Sequence, residues 1–161
     1  LSQKRCQTAY AKCYMHRSQF NYWASKRNLK LDFEKIESKL SISLPKYYKL
    51  AISNYPFKAL DNLDFVEDNL VNDEEWLIQT NIELRECSFF GNTWPSHFFA
   101  IGHDGFGNFT FINVKEFDEI IYFADHEEEF VPSDIEDLEL CSNMKEYIQD
   151  CLEEQKDVLS N

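Results

Sequence analysis

Glycine is concentrated at one point of this chain, and no other sequence feature constrains the fold as strongly. Three of the four glycines, Gly102, Gly105 and Gly107, fall within six residues, in the segment GHDGFGN. Glycine adopts positive φ without steric cost, so this spacing predicts a tight reversal of the chain. The flanking segments HFFAIG and NFTFINV, and the later EIIYFA, are aromatic and β-branched, which is typical of strands. The sequence therefore predicts a strand meander within residues 89–123, with a hairpin at the glycines.

Two helices are predicted ahead of this meander from their start signals. Asp32 can act as an N-cap, and Leu31 and Ile36 occupy the two positions of a hydrophobic staple around it. Pro45 presets φ for the first turn of the second helix, in which apolar residues recur at helical spacing. The segment NYP at residues 54–56 is expected to end that helix.

A third, short helix is predicted to open at Asn72. Glu75 lies three residues further on, at the position of a capping-box partner. Val71 and Trp76 occupy the staple positions around that cap. Trp76 is therefore expected to anchor the core.

The sequence after the strands predicts a closing helix. Ser133 and Glu136 suggest a capped turn, and a helix is expected from about Ser142 because the apolar residues that follow have an amphipathic pattern. These residues are Met144, Tyr147, Ile148, Cys151 and Leu152. Helices, then a meander, then a closing helix indicate an α+β fold with a largely antiparallel sheet. With 161 residues the chain suits a single domain, which we expect at 31–161.

The charge distribution divides the chain in two. Residues 1–58 carry 12 Lys and Arg against 3 Asp and Glu, a net charge of +9, whereas residues 59–161 carry 4 against 26, a net charge of −22. The acidic part argues against nucleic acid as a partner and for a basic protein, although acidic surface also serves solubility. No apolar run is long enough to span a bilayer.

Residues 1–30 form a basic, aromatic segment whose order the sequence leaves open. A helix is predicted over residues 4–27. This segment either folds back on the acidic body or contacts nucleic acid or a membrane surface.

No motif for catalysis, a metal or a cofactor stands out. The glycines of GHDGFGN lead into a strand rather than a helix, which excludes a phosphate loop, and Asp104 and Asn108 are too few ligands for calcium. Cys87 lies beside two glutamates, a setting that disfavours a reactive thiolate. Three histidines also lack the spacing of a zinc site: His97, His103 and His126. We therefore expect no catalytic residue, metal site or cofactor.

The cysteines are odd in number and scattered, without a CxxC pair. They are Cys6, Cys13, Cys87, Cys141 and Cys151. This pattern predicts reduced thiols in a cytoplasmic protein, serving mostly as small core residues.

The order of the motifs resembles the SUKH superfamily, which contains bacterial toxin-immunity proteins and fungal cell-wall-assembly regulators. The resemblance covers about residues 32–155 and rests on LPKYYKLAISN, the helix with Glu75-Trp76, FFAIGHDGFGNFTFINV, IIYFADHEEE and SNMKEYIQDCL, in that order. It implies an α+β domain whose sheet is flanked by helices and which acts by binding rather than by catalysis.

The resemblance further implies an immunity protein that neutralises a cognate toxin by stoichiometric binding. A basic, nuclease-type toxin would complement the acidic body. The alternatives are a regulatory scaffold of the cell-wall-assembly type, which would bind several partners weakly, and nucleic-acid binding through residues 4–30. The sequence indicates neither which toxin is bound nor the oligomeric state.

Charge density predicts where such a partner would bind. The expected acidic contacts are Asp125, Glu127, Glu128, Glu129 and Asp134. Trp94 and Phe130 are candidate aromatic anchors, with core packing as the competing role for both.

Overall fold

The computed structural model describes residues 31–55, 69–115 and 119–159, with side chains up to residue 154. Within these ranges four helices and four strands occur in the order α1 (Phe33–Leu40), α2 (Lys46–Asn54), α3 (Glu74–Cys87), β1 (Phe98–His103), β2 (Phe109–Asn113), β3 (Ile121–Ala124), β4 (Glu139–Cys141) and α4 (Met144–Leu159). This order confirms the predicted α+β class. The helix predicted over residues 4–27 lies outside the described residues.

The strands form one antiparallel sheet in the order β1-β2-β3-β4, which confirms the meander and its hairpin. The register shifts between Ala100 and Gly102, so that Ile101 forms a bulge in β1. The Ile101 carbonyl accepts a 2.8 Å hydrogen bond from the Val71 N–H, which ties the chain ahead of α3 to the sheet. The sequence did not predict β4, because its three residues, ELC, are too few to show a strand pattern.

The first helix starts as its cap predicts. The Asp32 carboxylate accepts a hydrogen bond from the Lys35 N–H, and the staple residues Leu31 and Ile36 are both buried. The second helix begins directly after Pro45, which occupies its N-cap position.

The third helix differs from its prediction in length and in its cap. Asp73, not Asn72, is the N-cap, because its carboxylate accepts the Trp76 N–H at 2.8 Å, and the helix continues for 14 residues. The predicted staple around Asn72 is therefore wrong, since the shifted cap places Val71 outside those positions. Trp76 is half-buried and stacks on His103, with 5.2 Å between the ring centroids.

Asn81 joins α3 to the outer edge of the sheet. Its fully buried amide nitrogen donates to the carbonyls of Leu77 and Ala100, at 2.8 and 3.0 Å, and its amide oxygen accepts the Ala100 N–H at 2.8 Å. Because β1 is an edge strand, this side chain satisfies backbone groups that no strand pairs.

Side chains alternate between two buried faces along β1 and β2. On β1, Phe99 and Ile101 pack under the helices, whereas Phe98 and Ala100 belong to a separate aromatic cluster. We call the first the helix-covered face. The second, the loop-covered face, is packed mainly by residues from loops and turns, Phe89, Trp94 and Phe130.

The closing helix begins at Met144, two residues after the predicted start. The Asn143 side-chain oxygen accepts the Glu146 N–H at 2.9 Å and so caps it. The predicted capped turn before it is a short 3₁₀ helix, Ile135–Leu138, without a side-chain cap bond.

Two of the cysteines have the predicted core role. Cys141 and Cys151 are buried, and burial raises the pKa of Cys141 to about 11 and that of Cys151 to about 12. Cys87 is only half-buried. No helix within the described residues is both long enough and apolar enough to cross a membrane.

Candidate partner-binding surface

The β1–β2 turn is held rigid by one aspartate. One carboxylate oxygen of Asp104 accepts the N–H groups of Phe106 and Asn108, at 2.8 and 3.3 Å, and the other accepts the Asn108 side-chain N–H at 2.6 Å. Gly105 and Gly107 have φ of 81° and 110°, values that favour glycine. The turn leaves the Phe106 side chain 61% exposed at its tip.

The segment after β3 is attached to this turn through Asn108. The Asn108 side-chain oxygen accepts the His126 N–H at 2.7 Å and lies 2.7 Å from His126 Nδ1. A Cβ at Gly107 would lie 3.7 Å from the His126 ring, so the two loops are in van der Waals range. Asn108 thus holds the backbone at His126, within the acidic stretch.

A third turn adds a second exposed aromatic ring. Phe89 and Asn92 exchange backbone hydrogen bonds of 2.8 and 3.0 Å, which closes a two-residue turn at Phe90 and Gly91. Phe90 is 41% exposed, and its ring centroid lies 5.7 Å from that of His126. His126 therefore contacts both neighbouring turns.

Acidic side chains lie on both sides of His126 in the chain. Asp125 accepts the Glu127 N–H at 2.8 Å, and the Glu127 side chain is 82% exposed. Glu128, Glu129 and Asp134 are exposed as well. Within the described ranges no lysine or arginine pairs with these five carboxylates, and the ring nitrogens of His126 lie 3.7 Å from Asp125 and 3.9 Å from Glu127.

The structure places the two predicted aromatic anchors beneath this surface. Trp94 is 1% exposed and Phe130 2% exposed, and their rings stack with centroids 5.2 Å apart. The Trp94 indole N–H donates to the Phe98 carbonyl at 3.2 Å. Both side chains therefore have the competing core role, and neither is accessible to a partner.

Sequence reasoning missed the accessible aromatic residues, Phe90 and Phe106. A signal was available, because both lie beside glycines in the short motifs FFGN and GFGN, where a turn would hold the ring away from the core. The aromatic residues of the neighbouring strands are expected to be buried, and the sequence pattern does not separate them from the exposed aromatic residues of the turns.

The polar side chains of the glycine turn form hydrogen bonds within the loops. Asp104 and Asn108, the residues compared with a calcium loop, bond to backbone and to each other. Across the residues that the structure describes, no three His, Cys, Asp or Glu side chains are grouped to hold a metal ion. The arrangement can present charge and aromatic rings to another molecule.

The comparisons with known proteins identify one family. The model of the SMI1 / KNR4 family (SUKH-1) matches residues 30–150. This range includes every described helix and strand before α4 and the first part of α4, up to residue 150. No curated protein matches the chain. No solved structure matches it either.

Proposed function

Because the chain belongs to the SMI1 / KNR4 family (SUKH-1), we propose that it acts by binding a partner protein rather than by catalysis. More specifically, we propose that it is a cytoplasmic immunity protein that neutralises a cognate toxin by one-to-one binding. The observation that carries this proposal is the acidic surface beside His126. Its three glutamates are exposed and Asp125 is half-buried, and no lysine or arginine among the described residues neutralises these carboxylates.

The charge of this surface favours a basic partner. Asp125, Glu127, Glu128, Glu129 and Asp134 lie within ten residues, in a part of the chain with a net charge of −22. An enzyme that binds phosphate groups needs a basic cleft, so a nuclease-type toxin would complement this acidic surface. Such complementarity raises the association rate and selects between partners.

Rigidity supports the same role. Trp94 and Phe130 pack beneath the loops, and Asn108 fixes the backbone of His126. A surface that is ordered before binding loses less conformational entropy when the partner docks.

The test is co-expression with the product of the adjacent open reading frame, followed by calorimetry of the purified pair at two salt concentrations. We expect a one-to-one complex with a Kd on the order of 1 nM that weakens as salt rises. Several weak partners, or no binding to the neighbouring product, would favour a regulatory scaffold of the cell-wall-assembly type instead.

A matched pair of charge reversals locates the contact. The double variant Glu128→Lys and Glu129→Lys should slow association and weaken the complex about tenfold or more at low salt. The control, Glu153→Lys and Glu154→Lys, makes the same charge change on the exposed side of α4. Equal losses from both pairs would mean that only net charge matters and would remove the surface beside His126 from the proposal.

Deletion of residues 1–30 tests the alternative function, nucleic-acid binding through residues 4–30. Binding to nucleic acid through residues 4–30 would be abolished by this deletion. Neutralisation of the toxin should remain intact.

A further inference from the structure

Phe90 occupies a backbone conformation that its side chain does not favour. Its φ is 47°, and the following Gly91 has φ of 91°, as a two-residue turn of this kind requires. Asn, Asp and Gly adopt such a conformation readily, whereas a bulky side chain there is strained. Stability of the turn alone would therefore select another residue at position 90.

Phe90 stays partly in solvent despite this strain. The Phe90 ring contacts Phe89 and His126, with centroids 4.8 and 5.7 Å away, yet 41% of the residue stays in solvent. Phe106 is 61% exposed on the neighbouring turn. Two exposed phenylalanines thus lie on the two turns that adjoin His126, in loops whose other aromatic residues are buried.

Charge complementarity decides what could cover these rings. The exposed carboxylates of Glu127, Glu128 and Glu129 directly follow His126 in the chain. A purely apolar partner would leave these charges desolvated and unpaired. A cationic side chain would satisfy them and would also be attracted by the faces of the rings.

We propose that this surface, formed by Phe90, Phe106 and Glu127–Glu129, receives an arginine side chain of the partner. The guanidinium stacks on an exposed phenylalanine ring while its N–H groups donate to the glutamate carboxylates. The proposal rests on the proposed function, which supplies a basic protein partner, and adds the chemical group that the surface recognises.

Arginine fits this arrangement better than lysine for three physical reasons. Its planar guanidinium stacks on an aromatic face, and it is less strongly hydrated than an ammonium group. It also presents parallel N–H donors that match a carboxylate, which a point charge cannot do. The surface should therefore distinguish two peptides of equal charge.

The probes are capped tetra-arginine and tetra-lysine peptides, titrated separately into the isotopically labelled full chain and followed by amide NMR shifts. We expect the arginine peptide to bind about fivefold more tightly. Its largest shifts should fall at Phe90, Phe106–Gly107 and His126–Glu129. Equal affinities, or shifts centred on the groove between α2 and α4 that Leu50 and Ile148 line, would overturn the proposal.

Two variants with an exposed control sharpen the test. Phe106→Ala and Phe90→Asn should each reduce the affinity for tetra-arginine about fivefold and remove its preference over tetra-lysine, without lowering Tm. The control Leu50→Ala truncates a similarly exposed side chain, 54% exposed, on α2 and should change neither affinity. If both phenylalanine variants keep the preference for arginine, the rings do not take part.

This outcome is separable from the fate of the proposed function. If the neighbouring gene product binds with nanomolar affinity and both Phe106→Ala and Phe90→Asn leave that Kd unchanged, the immunity role stands and the arginine site is wrong. If that product does not bind but the peptide preference is observed, the site stands and the partner must be sought elsewhere.

Discussion

The two faces of the sheet are packed by different means. On the helix-covered face, aliphatic strand residues such as Ile112 and Ile121 meet the apolar sides of all four described helices. On the loop-covered face, Phe98, Phe111 and Tyr122 meet Phe89, Trp94 and Phe130, which come from loops and turns. One face is closed by regular secondary structure and the other by large rings.

This difference explains where the candidate surface lies. Helices satisfy their own backbone hydrogen bonds, so the helix-covered face needs little from its side chains beyond apolar volume. Loops need side chains to hold them, and here Asp104 and Asn108 bond to the backbone while aromatic rings fill the space beneath. The loop-covered face therefore combines a rigid base with an outer surface free to carry charge.

The largest expected effect comes from the centre of the loop-covered face. Trp94→Ala should lower the free energy of unfolding by about 3–5 kcal/mol, because removing the indole leaves a cavity among the five aromatic rings that surround it. Chemical denaturation of the two proteins measures this loss. The half-buried Trp76 is the control, and Trp76→Ala should cost less than half as much. Equal losses would mean that Trp94 has no special place beneath the loops.

A smaller effect separates two tyrosines on the helix-covered face. The Tyr147 hydroxyl donates to the Asn69 carbonyl at 2.7 Å, so Tyr147→Phe should cost about 1–2 kcal/mol. The fully buried Tyr48 hydroxyl has no hydrogen-bond partner among the described residues, and Tyr48→Phe should be neutral or stabilising by about 1 kcal/mol. Thermal unfolding of both variants tests the difference. A loss at Tyr48 equal to that at Tyr147 would reveal a partner outside the described residues.

The smallest effect concerns a charge at the border of the helix-covered face. Desolvation raises the pKa of Glu37, but hydrogen bonds from Lys49 and from the Leu44 N–H outweigh it and hold this pKa below its usual value of 4.5. A lowered pKa in the folded state stabilises the protein above pH 4.5, and this contribution is lost as the pH falls through the folded-state value. The difference in unfolding free energy between the wild type and Glu37→Gln should therefore be larger at pH 7 than at pH 3.

Glu34, which is exposed on the same helix, supplies the control for that comparison. Glu34→Gln should leave the difference between pH 7 and pH 3 close to that of the wild type. A similar change in both variants would assign the effect to net charge rather than to the contacts of Glu37.

Local sequence signals predicted the elements well where their causes are local. The cap at Asp32, the start after Pro45 and the hairpin at Gly105 and Gly107 each depend on residues within a few positions. The start of α3 was displaced by one residue because Asn72 and Asp73 are both good caps. The same segment is tied to the sheet by the Val71 N–H, which bonds to the Ile101 carbonyl about 30 residues away, a contact that a local pattern does not contain.

The sequence identified the acidic residues of the candidate site but not its exposed aromatic residues. The sequence placed the carboxylates of Glu127–Glu129 in a loop, where the structure has them exposed. It could not tell which aromatic residues face solvent. Trp94 and Phe130 are separated by 36 positions, and only the fold brings them together as a stacked pair.

The amino-acid sequence by itself determined the α+β class, the position of the hairpin and the location of the acidic stretch, since these follow from local backbone preference, short-range periodicity and composition. Tertiary structure alone decided that Asn81 would cover the edge of β1, that Asn108 would hold His126, and that Phe90 and Phe106 would remain exposed. Each of these depends on contacts between distant segments. The physical reason is that burial and hydrogen-bond pairing are properties of neighbours in space, which a local pattern does not specify.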